Sequence, residues 1–88
     1  MQIQKLQWDC DAWEDYCRWQ RTDKAILKRI NQLIREVLRT PFEGIGKPEP
    51  LQGNLSGFWS RRINEEHRLV YLIEEDAVII ISCRGHYD

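Results

Sequence analysis

The chain has 88 residues, of which 42% are hydrophobic and 31% charged, and its formal net charge is −1. This composition predicts one folded domain over 1-88 and excludes a disordered chain or a repeat array. The aliphatic run at residues 77–81 is too short to span a bilayer, and early charges argue against a secretory signal. Because three cysteines favour a reducing compartment, we expect a cytoplasmic protein that does not enter membranes.

The first predicted elements are a short edge strand and a helix. Residues 3–8 predict the strand, with Leu6 and Trp8 on one face. Asp9 or Asp11 follows as the N-cap of the first helix, because a short carboxylate can accept from the free amides of a first turn.

A second, longer helix is the clearest element of the sequence. Thr22 or Asp23 can cap it, and it ends before Pro41 because the residue preceding a proline is disfavoured in helical geometry. Its apolar residues recur with helical spacing and form one face: Ile26, Leu27, Ile30, Leu33, Ile34, Val37 and Leu38.

The carboxy-terminal half predicts a sheet. A loop rich in glycine and proline at residues 41–57 precedes three strands, which cover residues 58–63, 68–73 and 77–86. Acidic turns separate the strands and predict an antiparallel meander. Helices followed by strands predict an α+β fold, with two N-terminal helices packed on one face of a small, mainly antiparallel sheet.

Strand alternation groups several polar side chains. Along the last strand, Ser82, Arg84 and His86 share a face. A three-residue turn between the last two strands would bring Arg68 to that same face, whereas a two-residue turn would reverse the relation. The favoured register collects two guanidiniums and an imidazole, which is a candidate polyanion site.

One carboxylate completes a set with chemical meaning. Glu49 lies between two prolines that stiffen its loop, although alone it is an ordinary exposed acid and His86 an ordinary surface histidine. RNA cleavage by its own 2′-hydroxyl needs a base, an acid and a cation at the phosphorus oxygens. Glu49, His86 and Arg68 supply these roles without a metal or other cofactor, whereas His67 receives no role.

Five segments have a recognisable sequence. They are TPFEG at residues 40–44, GKPEPL at 46–51, NLSGFWSRRI at 54–63, EHRLVY at 66–71 and CRGHY at 83–87. Together they closely resemble the YoeB (Txe) toxins, which belong to the RelE-like toxins of bacterial toxin–antitoxin modules. The resemblance implies a microbial-ribonuclease-like fold and an endoribonuclease that cuts mRNA in the A site of the 70S ribosome. It also implies a YefM-type antitoxin that binds operator DNA together with the toxin, and relatives of this type can form homodimers.

The resemblance assigns roles to four residues. The general base of the family falls on Glu49 and its phosphate-stabilising arginine on Arg68. Its general acid falls on His86, and its terminal aromatic residue, which orients the substrate, falls on Tyr87.

Basic residues extend the candidate site. Lys47 and Arg62 match family positions expected to contact RNA phosphate, and strand alternation adds Arg84. Gly85 stands where many members have an aromatic residue, and Asp88 extends the chain past the usual terminal tyrosine. The alternatives are a non-catalytic co-repressor or ribosome-docking module, and a ribonuclease independent of the ribosome. The net charge counts against the last, because unaided RNA affinity comes mainly from counterion release.

Overall fold

A computed structural model describes residues 2–85 of the chain. Within this stretch the elements are β1 (Lys5–Trp8), α1 (Cys10–Thr22), α2 (Lys24–Arg39), β2 (Glu49–Pro50), a 3₁₀ turn (Gly53–Leu55), β3 (Phe58–Arg62), β4 (Arg68–Glu74) and β5 (Ala77–Ser82). Neither α1 nor α2, the α-helices of the described part, has the length and apolar content to cross a membrane.

The described strands form one sheet in the order β1–β5–β4–β3–β2. β1 runs parallel to β5, and the other neighbouring strands are antiparallel. The parallel pair is possible because α1 and α2 lie in the long connection that leads away from β1. The predicted α+β class, with a mainly antiparallel sheet, is confirmed.

Two aspartates set the beginnings of the helices. The Asp9 carboxylate accepts a hydrogen bond from the Asp11 amide at 2.9 Å, which makes Asp9 the N-cap of α1. The Asp23 carboxylate accepts from the amides of Ala25 and Ile26, both at 3.1 Å. Because Asp23 also ends α1, one residue fixes the sharp connection between the helices.

The core lies between the helices and one face of the sheet. Its fully buried members from α2 and the strands are Ile30, Leu33, Val37, Leu69, Tyr71, Val78 and Ile80. We call the opposite sheet face the helix-free face. By alternation and register, it carries Glu49, Ser60, Arg62, Arg68, Val70 and Ser82.

The turn between β4 and β5 differs from the favoured prediction. Glu74 pairs with Ala77, so the turn contains only Glu75 and Asp76, and the three-residue turn is wrong. Glu75 has a φ of 56°. A tight two-residue hairpin places a residue in this left-handed region because its twist must match that of the flanking strands.

A β-bulge then restores the predicted face of Arg68. Tyr71 pairs with Ile80 but Val70 pairs with Ser82, so Ile81 is an extra residue in β5. Since each one-residue shift exchanges the two faces, the bulge reverses the effect of the shorter turn. The strand predicted over residues 77–86 ends at Ser82, so residues 83–85 are not regular strand, and residue 86 lies outside the described part.

Candidate functional site

A row of paired residues crosses the helix-free face. Glu49 lies opposite Ser60, Ser60 opposite Val70, and Val70 opposite Ser82. Glu49 stands at the β2 end of the row, and its side chain is exposed. The register of this two-residue strand therefore directs the carboxylate to the helix-free face.

Two arginines form the neighbouring row. Arg62 on β3 lies directly opposite Arg68 on β4. Nη1 of Arg68 donates to the carbonyl oxygens of Asn64, Glu65 and His67 at 2.7, 3.3 and 3.2 Å. These acceptors belong to the β3–β4 turn and are uncharged, so they orient the guanidinium without neutralising it.

Lys47 follows the contact that brings the loop against β3. The Gly46 carbonyl accepts from the Arg62 amide at 2.7 Å. Gly46 has a φ of 83°, which favours glycine, and a Cβ there would lie 2.8 Å from Leu33 Cδ2, so a larger residue would force Leu33 to shift. Lys47 itself is exposed with a φ of 52°, and it leads through Pro48 into β2. The lysine therefore lies beside Arg62.

A buried arginine holds the preceding loop. Arg61 is fully buried, and its guanidinium donates to the carbonyl oxygens of Thr40, Glu43 and Ile45 at 2.6, 2.8 and 3.1 Å. Its Nε donates to the Tyr71 hydroxyl at 3.1 Å. Arg61 had no predicted role, although alternation with Arg62 directs it to the core. Arg61 thus fixes the loop that carries Lys47 and leads to β2.

The Tyr71 hydroxyl connects the same loop to β4. It accepts from Arg61 and donates to the Pro41 carbonyl at 2.7 Å. Burial raises the pKa of Tyr71, and the hydrogen bond and charge of Arg61 oppose that rise. The neutral phenol is therefore the stable form at ordinary pH.

Arg84 lies away from the paired rows. Its Nη1 is 3.7 Å from Asp15 Oδ1 of α1, and about half of its side chain is exposed. Because β5 ends at Ser82, the strand alternation that grouped Arg84 with Ser82 does not extend to it. Its RNA-binding role stays a prediction.

The last described residue, Gly85, connects the carboxy-terminal segment to β4. Its carbonyl accepts from the Arg68 amide at 2.8 Å, and its amide donates to His67 Nδ1 at 2.9 Å. The next residues, His86 and Tyr87, lie outside the described part. Gly85 thus contacts β4, the strand that begins with Arg68, one position before His86, the predicted acid.

His67 contributes a contact that sequence reasoning missed. His67 as a whole is 8% exposed, and its imidazole lies edge-on to Trp19, with ring centres 5.0 Å apart. Strand alternation could have predicted that His67 faces the core, because a residue preceding Arg68 in an extended chain points to the other face.

The described part of the candidate site combines one acid with three cations. Register and chain contacts bring together Glu49, Lys47, Arg62 and Arg68. Glu49 and Arg68 are two strand spacings apart, about 10 Å across the sheet, and are offset by two residues along the strands. An anionic group placed between them can be reached from both sides, by a proton acceptor and by a guanidinium.

Comparison with known proteins identifies the family. The model of the YoeB-like toxin of bacterial type II toxin–antitoxin systems matches residues 8–87. Toxin YoeB of Escherichia coli K12 is 63% identical over 83 residues, which cover 94% of this chain and 99% of the relative. The solved YoeB/ParE toxin of Agrobacterium tumefaciens is 51% identical with a TM-score of 0.91, covering 96% of this chain and all of that one.

YoeB of Staphylococcus aureus has been solved as a dimer and in complex with YefM. These structures are 44% and 43% identical to this chain, with TM-scores of 0.89 and 0.88, and each comparison covers 99% of this chain and 100% of the other. Sequence and fold therefore agree over nearly the whole length. The chain belongs to the YoeB-like toxins of bacterial type II toxin–antitoxin systems.

Proposed function

We propose that the chain is an endoribonuclease that cuts mRNA in the ribosomal A site by attack of an RNA 2′-hydroxyl, without a metal. The observation that supports it most is the helix-free face, where Glu49, Arg62 and Arg68 lie on adjoining strands. The chain segment that leads to His86 is hydrogen-bonded to the same strand as Arg68.

The reaction has three parts in one displacement. Glu49 takes the proton of the 2′-hydroxyl as its oxygen bonds to the adjacent phosphorus. Arg68 stabilises the negative charge that grows on the phosphorus oxygens. His86 donates a proton to the departing 5′-oxygen, so that the products are a 2′,3′-cyclic phosphate and a free 5′-hydroxyl.

The remaining site residues position the RNA. Lys47 and Arg62 bind phosphates beside the cleaved bond, and Arg84 adds a third basic contact. Tyr87 orients the substrate. With a net charge of −1, the chain has little affinity for free RNA, so the ribosome supplies the encounter.

The partners that we propose are those of the YoeB-like family. A YefM-type antitoxin binds the toxin, covers the site and carries the complex to operator DNA. The complex and dimer of the Staphylococcus aureus relative support antitoxin binding and homodimer formation. A target on the ribosome places the protein in the cytoplasm.

Two substitutions test the catalytic assignment. We expect Glu49→Ala and His86→Gln each to abolish growth arrest in cells while the protein stays folded and captures antitoxin. Each loss corresponds to about 10²–10⁴-fold in rate, the usual contribution of general acid or base catalysis. Glu43→Ala is the matched control, because Glu43 is exposed on the preceding loop and contributes only its carbonyl to the Arg61 contacts.

The outcomes separate the candidate functions. If both variants arrest growth like wild type, the roles of Glu49 and His86 are wrong. If the wild-type protein occupies ribosomes and stops translation while all mRNA stays intact, the chain is the non-catalytic docking module instead.

A further inference from the structure

Three main-chain hydrogen bonds tie the segment that precedes His86 to other elements, in addition to a local bond from Ser82 Oγ to the Arg84 carbonyl. Trp19 Nε1 donates to the Cys83 carbonyl at 3.1 Å. The Gly85 carbonyl accepts from Arg68, and the Gly85 amide donates to His67 Nδ1. Gly85 has a φ of 75°, so the chain turns sharply where the last two contacts meet. The His67 contact is the one of these three made by a titratable side chain.

The turn between β3 and β4 fixes the His67 imidazole. The His67 amide donates to Asn64 Oδ1 at 2.7 Å, and its carbonyl accepts from the amides of Ile63 and Asn64. The ring then lies buried against Trp19. Contacts other than the one with Gly85 therefore hold both the main chain and the ring.

The contact requires one protonation state of the ring. An amide N–H can only donate, so Nδ1 must carry a lone pair and the neutral ring has its proton on Nε2. Nε2 lies 3.7 Å from Glu66 Oε1, which suits a bound proton there. The imidazole thus acts as a hydrogen-bond acceptor for the main chain.

We propose that His67 is a positioning residue for proton donation by His86. By accepting from the Gly85 amide, it sets the start of the segment that delivers the His86 imidazole to the departing 5′-oxygen. The inference rests on the proposed function. Since a misplacement of about 1 Å can cost 10²-fold in rate, loss of this contact should slow cleavage by about that factor.

A substrate with a sulfur leaving group provides the test. Ribosomes are programmed with RNA that carries either the natural 5′-oxygen or a bridging 5′-sulfur at the cut position. A thiolate departs without being protonated, so only steps other than acid catalysis limit its cleavage. Wild type and His86→Gln calibrate the assay, and His86→Gln should lose activity on the oxygen substrate alone.

Three His67 variants distinguish positioning from mere structure. His67→Leu keeps bulk against Trp19 without an acceptor, His67→Gln moves its amide to the Nε2 position, and His67→Asn places Oδ1 where Nδ1 stood. We expect Leu and Gln to cut the oxygen substrate about 10²-fold slower but the sulfur substrate within about threefold of wild type. The Asn variant should restore both rates, and should His67→Leu not fold, the Asn and Gln variants alone decide.

Several results would overturn the inference. Equal losses on both substrates mean that His67 only stabilises the fold, and failure of His67→Asn to restore the rate excludes the acceptor role. If His86→Gln cleaves the sulfur substrate no faster than the oxygen substrate, the proposed acid is wrong and so is the inference about His67. If the sulfur substrate restores cleavage by His86→Gln but not by His67→Leu, the inference about His67 is wrong while the proposed function stands.

Discussion

Arg62 and Arg68 lie directly opposite each other on adjacent antiparallel strands, with both side chains on the helix-free face. Like charges directly opposite each other destabilise a sheet, and the energy of one cross-strand pair is about 0.2–1 kcal/mol. Nη1 of Arg68 donates to neutral carbonyl oxygens of the β3–β4 turn, so those contacts leave its charge in place. A fold that pairs two arginines across adjacent strands is suited to an anionic ligand.

Replacing one of these arginines should improve stability and weaken RNA binding. We expect Arg62→Thr to raise the free energy of unfolding by about 0.2–1 kcal/mol, because threonine favours strands and the repulsion is removed. The same variant should lower the slope of log affinity against log salt by about 1 on programmed ribosomes. Urea denaturation and binding titrations at several salt concentrations measure the two effects.

Lys5→Thr is the control for that experiment. Lys5 lies on the same face at the opposite edge of the sheet, where it pairs with Ala77. Lys5→Thr should change the free energy of unfolding and the salt slope less than Arg62→Thr does. An Arg62→Thr protein that is less stable, or that keeps the full salt slope, contradicts this account of the pair.

The Tyr71 hydroxyl should contribute more stability than an exposed phenol does. Tyr71→Phe leaves Arg61 Nε and the Pro41 carbonyl without their partner in a buried region, at a cost of about 1–3 kcal/mol. Tyr16→Phe also removes one hydrogen bond, to Asn31, but near solvent, and we expect a loss below about 1 kcal/mol. Chemical denaturation of both variants makes the comparison, and equal costs would show that the loop does not depend on this contact.

Stability should fall in alkali partly because of Cys83. Burial in the core raises the pKa of Cys83 from 9.0 to about 12, and the charge of Asp15 adds to the rise. The unfolded chain therefore loses the thiol proton first. The stabilisation is complete below pH 9 and is lost as the pH rises toward 12, by up to about 1.4 kcal/mol per pH unit.

Denaturation of Cys83→Ala at pH 8 and pH 10.5 tests the sign. We expect the variant's stability deficit to shrink at the higher pH, since alanine has no proton to lose. Val37→Ala, another truncation in the core, should show the same deficit at both pH values. A Cys83→Ala deficit that grows with pH would contradict the direction of the pKa shift.

The helices were predictable because their signals are local. The apolar spacing of α2, the aspartate caps and Pro41 each act within a few residues. The β4–β5 register was not predictable, because apolar residues occupy both faces of β5 and do not distinguish one alignment from the next. The bulge at Ile81 leaves no separate mark in such a run.

The candidate site divides in the same way. Glu49 and Arg68 could be chosen from their residue types and chain context, and the register places both on the helix-free face. His67 and Arg61 were missed because they act through main-chain groups distant in sequence, Gly85 and the loop at residues 40–45. Such contacts depend on the assembled sheet rather than on a motif.

Attack by the RNA 2′-hydroxyl is tested most directly by cleavage, on programmed ribosomes, of an mRNA that carries a single 2′-deoxy sugar. The substituted sugar is the one whose 3′-phosphate is normally cut, and mass spectrometry identifies the ends. The account predicts a 2′,3′-cyclic phosphate from the all-ribose message and no cut at the deoxy position. Cleavage of the deoxy message at the wild-type rate would show that the 2′-oxygen is not the nucleophile, and the roles given to Glu49 and His86 would be wrong.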